Sequence, residues 1–578
     1  MNHLQPPGRE AFARSRAFIR RNGIAMSQRK HDQYLDLLIL ADIHYVDEAQ
    51  HTCRIPKRRT ELGLELVRRV WNRAVRSGRP DAVVLMGDLV DNGDADGADK
   101  DLARLCDELA DKGVPVLVVP GNHDGDYERL FRIFGKTGDS YRFLPVGTRT
   151  RAERSAHGQK SATVPSFLVL TFADRYGLDD QANRSREELS LVAQTRRQHP
   201  DSPIIVFQHS PVHPPIESDY PYNLGNRDEV MAAYAEAGVT LSVSGHYHGG
   251  LPLSQVNGVG YVTAPALCEA PFRFLRVRVR GRERQAGHGD PALQLGLRPN
   301  LGGAEYSVEE ISLAMDAGLG LVDHHAHTQF AYCADDITAE AAIARAQDFG
   351  LAGITFAEHA AHLYLSRDDY SRAAFLDDPG IMRREREAGR GRMAQYRRMA
   401  RRLRSDFVRF GLEVECDGDG GLTLLDEDRD GWDILVGALH YLPELRNGGA
   451  SSAEVNRGFM AANERICGHG VAVLAHPFRI FRRNKQTTPT ELYRPMADLL
   501  AATGVAAEVN FHTNQPDPRF FALCLERGVR IALASDAHAL HEVGEFAPHL
   551  ELLRKLELGT VTDFFRLLDV DASAVDPR

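Results

Sequence analysis

The chain has 578 residues, a formal net charge of −10 and seven cysteines. This length exceeds what one hydrophobic core normally serves, so we expect two or three domains. The acidic balance argues against general binding of nucleic-acid backbones, and an odd number of cysteines without a Cys-x-x-Cys pair argues against a disulfide framework or a thiolate zinc site.

Residues 1–32 are rich in arginine, contain Pro6, Pro7 and Gly8, and lack the apolar stretch of a secretory signal. We expect a disordered leader here. The alternatives are a basic targeting segment and translation that begins at Met26. No run in the chain approaches the ~18–20 apolar residues that cross a bilayer. The sequence therefore favours a cytoplasmic protein with no membrane partner, while its oligomeric state stays open.

The first half alternates between buried-type strands and amphipathic helices. Short, nearly continuous apolar runs predict strands at 35–41, 82–86, 114–119, 203–208 and 240–244. Helical periodicity appears at 61–76, 98–112 and 227–238. Each predicted strand ends at a polar motif, which places functional groups at the carboxyl ends of strands in an α/β domain.

Those polar motifs form one ligand set for a pair of metal ions. A pair held ~3.5–4 Å apart needs one bridging ligand, for which Asp88 is the natural candidate. Asp42, His44 and His248 would complete the shell of one metal. Asn122, His209 and His246 would complete the shell of the other. His123 is then free to act as general acid at the leaving group, with Asp91 placed to orient it.

Along the chain these residues form five motifs, which contain Asp42 and His44, Asp88 and Asp91, Asn122 and His123, His209, and His246 and His248. In this order the five motifs resemble the calcineurin-like metallophosphoesterase family over residues 33–280. The resemblance implies a four-layer αββα sandwich of two mixed sheets between helices. It also implies two divalent or trivalent metals, which would be manganese, iron or zinc. A loop histidine, His213, is a further candidate for substrate contact, although an ordinary loop position is the simpler interpretation.

Helical and strand periodicity fades over 281–318, which we interpret as a linker. A second alternating pattern follows over 319–578. We predict strands at 318–322, 351–356, 433–438, 471–475, 505–510 and 529–534, and helices at 338–349 and 453–467. Strands followed by motifs and separated by helices indicate a barrel-like α/β domain whose site gathers at one rim.

A second ligand set follows these strands. His325 and His327 lie two residues apart on one strand, so they project to the same side and can chelate one ion. Glu413 would bridge this ion and a second metal, which His440 and His476 would also bind. Asp536 would bind the first metal. His359 and His538 remain, and they suit a third metal.

In order and spacing these residues resemble the polymerase and histidinol phosphatase (PHP) family over residues 319–578. The resemblance implies a distorted (β/α)7 barrel with a site for two or three zinc, manganese or iron ions. One departure concerns the third metal, because members often carry a histidine shortly after the His-x-His pair. This chain has Cys333, Ala334, Asp335 and Asp336 there, and we expect Asp335 to replace that histidine.

Two further residues are candidates for substrate contact. Arg479 follows His476 and Pro477, so its guanidinium could pair with a phosphate or form a surface salt bridge. Asn510 ends a predicted strand, where it could contact substrate or make a structural hydrogen bond. Residues 382–410 are dense in arginine, which indicates either a solvated helix face or a positive rim that attracts phosphorylated substrates.

Two complete ligand sets on one chain predict a bifunctional phosphoesterase that cleaves diesters and monoesters of small phosphorylated metabolites by metal-activated hydroxide at two separate sites. One alternative is a nuclease, against which the acidic balance weighs. The other is a single active domain, with the second domain serving as a scaffold or regulator.

Overall fold

The computed structural model describes residues 24–25, 34–47, 55, 57–144, 166–177, 181–281, 298–299, 304–446 and 448–556. The chain divides into two compact units, Met1–Leu313 and Ala314–Arg578. No helix among these residues is long and apolar enough to cross a membrane.

Two mixed sheets form the centre of the first unit. The first sheet has the strand order β1-β5-β6-β9-β10-β12-β11, and the second has the order β14-β15-β13-β2-β3-β4. A separate ribbon pairs β7 with β8. The bounds are β1 Ile24–Ala25, β2 Tyr34–Leu40, β3 Ala82–Met86, β4 Val116–Val119, β5 Ser140–Leu144, β6 Phe167–Thr171, β7 Arg175–Tyr176, β8 Ala182–Asn183, β9 Ile204–Phe207, β10 Leu241–Ser244, β11 Leu251–Val256, β12 Val259–Thr263, β13 Arg273–Gly281, β14 Arg298–Pro299 and β15 Ala304–Ser312.

Helices cover the outer faces of these sheets. Their bounds are α1 Gly63–Arg76, α2 Ala98–Ala110, α3 Tyr127–Phe134, α4 Arg186–Gln198 and α5 Arg227–Glu236. One core lies between the sheets, where Leu37 of β2 and Val277 of β13 join Val169 of β6 and Phe207 of β9. A second core lies between the first sheet and α4 and α5. The expected four-layer αββα sandwich is therefore confirmed.

A buried ion pair ties the second sheet to α1. Arg276 of β13 points away from the core between the sheets, and its guanidinium bonds both carboxylate oxygens of Asp36 at 2.8 and 2.9 Å. The same guanidinium donates to the carbonyl of Ala74 near the end of α1. Both charges are fully buried, so each depends on the other for its partner.

The structure differs from the sequence at the two ends of this unit. Residues 304–312 lie in the expected linker but form β15, which pairs antiparallel with β13 over its whole length. Ala304 and Tyr306 point into the core between the sheets, a contribution that the weak local pattern conceals. In the expected leader, Ile24 and Ala25 pair with β5, while the rest of 1–32 lies outside the described residues.

The second unit is a parallel barrel. Its seven strands run in chain order from β16 to β22, and every neighbouring pair is parallel. Their bounds are β16 Val322–Ala326, β17 Gly353–His359, β18 Val408–Val414, β19 Ile434–Gly437, β20 Val473–Leu474, β21 Ala506–Asn510 and β22 Ile531–Ala534. A parallel bridge between Ala326 and Ala537 joins the first strand to the segment after the last. The distorted (β/α)7 barrel is confirmed.

Helices surround this barrel and pack on a large apolar core. Their bounds are α6 Ala339–Asp348, α7 Arg367–Ser371, α8 Ala374–Asp377, α9 Ile381–Glu387, α10 Met393–Leu403, α11 Pro443–Arg446, α12 Ser452–Gly468, α13 Arg479–Arg483, α14 Tyr493–Thr503, α15 Pro518–Glu526 and α16 Ala547–Lys555. α12 begins with a capping box in which the Ser451 and Glu454 side chains each bond the other's backbone amide.

Two strands of the barrel differ from the prediction. The first was expected at 318–322, but β16 starts at Val322 and runs into the histidine motif. Residues 408–414, which the prediction did not assign as a strand, form β18, the third of the seven strands. Arg409 interrupts the apolar run of this strand. The arginine-rich segment before it has helical periodicity, so the sequence pattern did not indicate a strand.

Candidate metal centres

In the first unit, each predicted ligand lies on a short segment just beyond the carboxyl end of a strand. Asp42 follows β2, Asp88 follows β3, and His246 follows β10. These three residues and His44 adopt left-handed backbone conformations, with φ between 47° and 67°. Such conformations are costly for residues with a Cβ and concentrate at functional sites, where surrounding contacts hold them in place.

Asp88 lies between the two expected groups of ligands. Its Oδ2 is 3.6 Å from Nε2 of His44 and 3.3 Å from Nε2 of His209. Ligand atoms of Asp88, His209 and His246 all lie within 4.8 Å of one another. Asp88 therefore occupies the position that a bridging ligand requires.

The first group of ligands lies on one side of Asp88. Nε2 of His248 is 3.2 Å from Nε2 of His44 and 3.6 Å from Oδ1 of Asp42. The second group is His209, His246 and Asn122. Nε2 of both histidines and Oδ1 of Asn122 are buried, and within the described part of the chain they have no hydrogen-bond partner. The two histidines lie beside the Asp88 carboxylate, and buried acceptors without partners favour a cation, so the donor set fits two metal ions.

His123 and Asp91 are in contact, but not as the sequence suggested. Nδ1 of His123 lies 2.6 Å from the backbone carbonyl of Asp91. The carboxylate of Asp91 instead lies 3.1 Å from Nδ1 of His44 and 3.2 Å from the guanidinium of Arg58. Asp91 thus orients the expected general acid through its backbone and a metal-site histidine through its side chain.

In the second unit the ligands gather at the carboxyl end of the barrel. Glu413 of β18 is the common neighbour. Its Oε1 is 3.1 Å from Nε2 of His476 and 3.5 Å from Nε2 of His440. Its Oε2 is 2.5 Å from Nδ1 of His359 and 3.9 Å from Nε2 of both His325 and His327. Glu413 therefore links the two groups that the sequence predicted.

Asp536 completes the group around the His-x-His pair. Its Oδ1 lies 3.0 Å from Nε2 of His327 and 3.9 Å from Nε2 of His325. Nδ1 of His327 bonds Glu358, and Nδ1 of His325 bonds Glu508. Those contacts place a proton on Nδ1 of each ring, and, despite burial, the surrounding carboxylates raise the pKa of His325 to about 9 and the pKa of His327 well above its usual value. The carboxylates around both Nε2 atoms therefore favour a positive charge there, supplied by a second ring proton or by a metal ion.

Comparison with known proteins agrees with both sites. Residues 35–250 match the model of the calcineurin-like phosphoesterase family, and residues 323–512 match that of the PHP domain. The chain is a calcineurin-like phosphoesterase fused to a PHP domain. It is a metal-dependent phosphoesterase, and both of its families use divalent metals. No curated protein matches the chain.

Several solved structures resemble parts of the chain. A dimetal phosphatase from Danio rerio has 18% identity and a TM-score of 0.32, covering 43% of this chain and 96% of its own. The calcineurin-like phosphoesterase YfkN from Bacillus subtilis has 14% identity and a TM-score of 0.30, covering 48% and 90%. A structure from Listeria monocytogenes named histidinol phosphatase hisK has 13% identity and a TM-score of 0.27, covering 39% and 99%.

Further partners of the calcineurin-like site were not predicted from the sequence. Oε1 of Glu269 lies 2.6 Å from Nδ1 of His248, and the carbonyl of Met86 lies 2.7 Å from Nδ1 of His209. Both contacts keep the Nε2 lone pair free for a metal. Asp124 accepts hydrogen bonds from the amides of Leu89 and Gly121. The sequence motif contained Asp124, whereas nothing near Glu269 in the sequence indicated its role.

Buried acids and histidines within the calcineurin-like site shift one another's pKa. Burial would raise the pKa of Asp88, but His209, His44 and His123 hold it well below its usual value. Burial opposes charge on His209, yet Asp88 and Asp42 raise its pKa to about 10. Burial and the neighbouring His209 lower the pKa of His246 to about 3. Because His246 is neutral, its ring has a lone pair that can bind a metal. The carboxylates of Asp88 and Asp42 favour a positive charge beside His209.

Arg479 of the PHP domain has a different place from the one expected. It is neither a surface residue nor free, because its guanidinium lies 2.6 Å from Oδ2 of Asp536. The same group is 2.9 Å from Nε2 of His440 and 2.7 Å from Nε2 of His476. In this structure Arg479 supplies a cation within the ligand set while it also lines the cavity next to it.

Asn510 makes the structural hydrogen bonds that were one of its two expected roles, whereas Asp335 differs from its expected role. Nδ2 of Asn510 donates to Glu508 at 2.6 Å and to Asp536 at 3.0 Å, so it orients ligands rather than facing substrate. Asp335 is exposed, and its backbone amide donates to the carbonyl of His538. Two residues earlier, Sγ of Cys333 lies 3.5 Å from Nε2 of His359. The loop thus directs Cys333, not Asp335, toward the histidines.

Most arginines of the arginine-dense segment, residues 382–410, pair with acidic side chains or backbone carbonyls at the surface of the barrel. Arg383 pairs with Glu427 at 3.0 Å, and Arg404 pairs with Asp433 at 3.1 Å. Arg397 donates to two backbone carbonyls and stacks on Trp432. These pairings favour the solvated helix face over a positive rim for substrate.

Proposed function

We propose that the chain is a bifunctional phosphoesterase whose two domains hydrolyse esters of small phosphorylated metabolites independently. The observation that carries the proposal is the presence, in each domain, of a carboxylate placed to bridge two groups of imidazole ligands, Asp88 in one and Glu413 in the other. We assign diesters to the calcineurin-like domain and monoesters or cyclic phosphates to the PHP domain.

Each domain's own residues have defined tasks. Metal ions held at these sites would lower the pKa of bound water and supply the nucleophile at neutral pH. In the calcineurin-like domain, we assign manganese, iron or zinc to the two groups around Asp88. His123 is the proposed general acid, because its Nδ1 donates to the carbonyl of Asp91 and, in the doubly protonated ring, Nε2 carries the proton that the leaving oxygen would take.

The PHP site opens into a cavity of about 510 Å³. That volume suits a small molecule. Arg367, Arg483 and Tyr441 contribute to its lining, together with His359, His440 and His538. Two guanidinium groups beside a cluster of imidazoles fit a phosphorylated metabolite better than a neutral one. A small phosphorylated substrate is therefore the partner we propose for this domain, with zinc, manganese or iron as its metals.

The test compares two single-site variants, Asp88→Asn and Glu413→Gln, on bis(p-nitrophenyl) phosphate and p-nitrophenyl phosphate. Each change removes the charge of one bridging carboxylate while keeping its shape. We expect Asp88→Asn to lose at least 100-fold in diester hydrolysis and keep monoester hydrolysis, and Glu413→Gln to do the reverse. Loss of both activities in either variant would rule out independent sites.

A further inference from the structure

Cys333 lies at the mouth of the PHP cavity, on the segment between β16 and α6. The residue as a whole is exposed. The same cavity is lined by His359, His362 and His538. Next to the ligands around Glu413 and Asp536, the PHP domain therefore holds a cluster that combines one thiol with imidazoles and shares His359 with the Glu413 group.

The geometry of this cluster is compatible with a metal ion. Sγ of Cys333 is 3.5 Å from Nε2 of His359, and one ring nitrogen of His362 lies within 4.8 Å of both. Ligand atoms of His327, His359 and His538 form an overlapping group within the same limit. The loop is held in place because the amide of Asp335 donates to the carbonyl of His538 at 2.9 Å.

Ring protons decide which histidines can be ligands. Nδ1 of His538 lies 2.7 Å from the backbone carbonyl of Asp536, so it carries the proton and leaves the Nε2 lone pair free. Nδ1 of His362 instead accepts from the amide of Tyr332 at 3.2 Å, so a neutral ring carries its proton on Nε2. That nitrogen is buried and has no hydrogen-bond partner among the described residues.

We propose that Cys333, His359 and His538 hold a third metal ion in the PHP domain, with His362 donating a hydrogen bond to the thiolate. On binding, the thiol of Cys333 loses its proton to solvent and the sulfur forms the bond to the metal. The proposal rests on the PHP centre of the proposed function and adds to it a ligand that neither metal group there contains.

A thiolate sets the chemical class of this ion. Soft sulfur ligands select zinc and other thiophilic ions, whereas manganese and magnesium prefer oxygen. The third position therefore binds zinc, cobalt(II) or cadmium in preference to manganese. The two positions around Glu413 and Asp536, which offer imidazole and carboxylate, also accept manganese.

The experiment measures ion content and absorption of the full-length protein loaded with cobalt(II). The variants are Cys333→Ser, Cys333→His and, as matched control, Cys416→Ser, which removes another thiol of the same domain. A second thiol needs attention, because Cys268 lies within 4.8 Å of His44 and His248 in the calcineurin-like domain. Its contribution cancels in the difference spectrum between the unaltered protein and Cys333→Ser.

We expect the difference spectrum to show a sulfur-to-cobalt charge-transfer band in the near ultraviolet, and Cys333→Ser to bind one ion fewer. Cys333→His should keep the ion but lose the band, and Cys416→Ser should keep both. A Cys333→Ser protein with an unchanged band or an unchanged ion count would overturn the proposal. Neither readout depends on hydrolysis, so failure of the proposed function would appear separately, in the assays of Asp88→Asn and Glu413→Gln.

Discussion

At the scale of single residues, hydrogen bonds at Nδ1 determine how the imidazoles are used. Glu269, the carbonyl of Met86, Glu358 and Glu508 each contact the Nδ1 of a different histidine at the two sites. Each contact places the Nε2 lone pair toward a carboxylate or another imidazole. The partners of the ligands are therefore as necessary to the metal centres as the ligands themselves.

Glu269 offers a direct test of this role. Its carboxylate touches His248 and Lys57, and the contact with His248 lowers the pKa of Glu269 to about 2 despite partial burial. We expect Glu269→Ala to weaken metal binding in the calcineurin-like domain by about 10- to 100-fold. Calorimetric titration of chelator-treated protein would measure the change. The matched control is Glu310→Ala, which removes an exposed ion pair with Arg273 in the same unit and should leave metal affinity unaltered.

Asp323 is a buried carboxyl group whose ionisation should affect stability. It accepts hydrogen bonds from Ser535 and from the amide of His325, yet burial raises its pKa to about 7. Its folded pKa exceeds the unfolded value, so the folded state binds more protons between pH 4 and 7. Stability of metal-free protein should therefore fall as pH rises through this range, by at most about 4 kcal/mol at 1.36 kcal/mol per pKa unit.

Denaturant unfolding of chelator-treated protein at several pH values would measure this dependence. We expect the Asp323→Asn variant to lose most of the decline between pH 4 and 7, because the amide does not ionise. If the variant and the unaltered protein follow parallel curves, Asp323 is already charged below pH 4 in the folded state.

At the scale of elements, most of the strands that end at metal ligands were predicted from the sequence. The runs before Asp42 and Asp88 are almost entirely apolar and the run before His246 alternates with serine, and all three are buried because each strand is covered on both faces. β18 was missed although it carries Glu413, since Arg409 and Gly411 interrupt its pattern. Sequence reasoning therefore found the ligand Glu413 by its motif but not the strand that positions it.

The contacts between distant segments could not be predicted in this way. Glu269 and Glu508 lie far along the chain from His248 and His325, and single acidic residues have no distinctive spacing. The choice between Cys333 and Asp335 depends on the direction in which one loop turns. Arg479 was recognised as functional, but its place among the ligands follows from the fold of α13.

The close contact between the loop after β4 and the loop that carries Asp88 can be tested by substitution. A Cβ at Gly121 would lie 2.2 Å from Oδ1 of Asp88, so the loop after β4 passes directly against the bridging carboxylate. We expect Gly121→Ala to displace Asp88 and to reduce diester hydrolysis by at least 10-fold, with PHP activity unchanged. The control is Gly138→Ala, where a Cβ would meet nothing within 4 Å. Equal activities in the two variants would show that the loop can retreat at little cost.

At the scale of the whole molecule, two compact units each enclose a complete ligand set. The units separate at Leu313 and Ala314. The last strand of the first unit, β15, lies in a stretch that the sequence suggested was linker. Because no ligand of one set lies in the other unit, each domain contains the residues for its own chemistry. Independent function of the two sites is the central claim.

Anomalous X-ray scattering from crystals grown with manganese and zinc tests that claim most directly. We expect two peaks flanking Asp88 and two or three peaks around Glu413 and Asp536. In crystals of Asp88→Asn, the first pair should weaken or disappear while the second group remains. Peaks in only one unit, or loss of both groups after this single change, would contradict the existence of two separate metal centres.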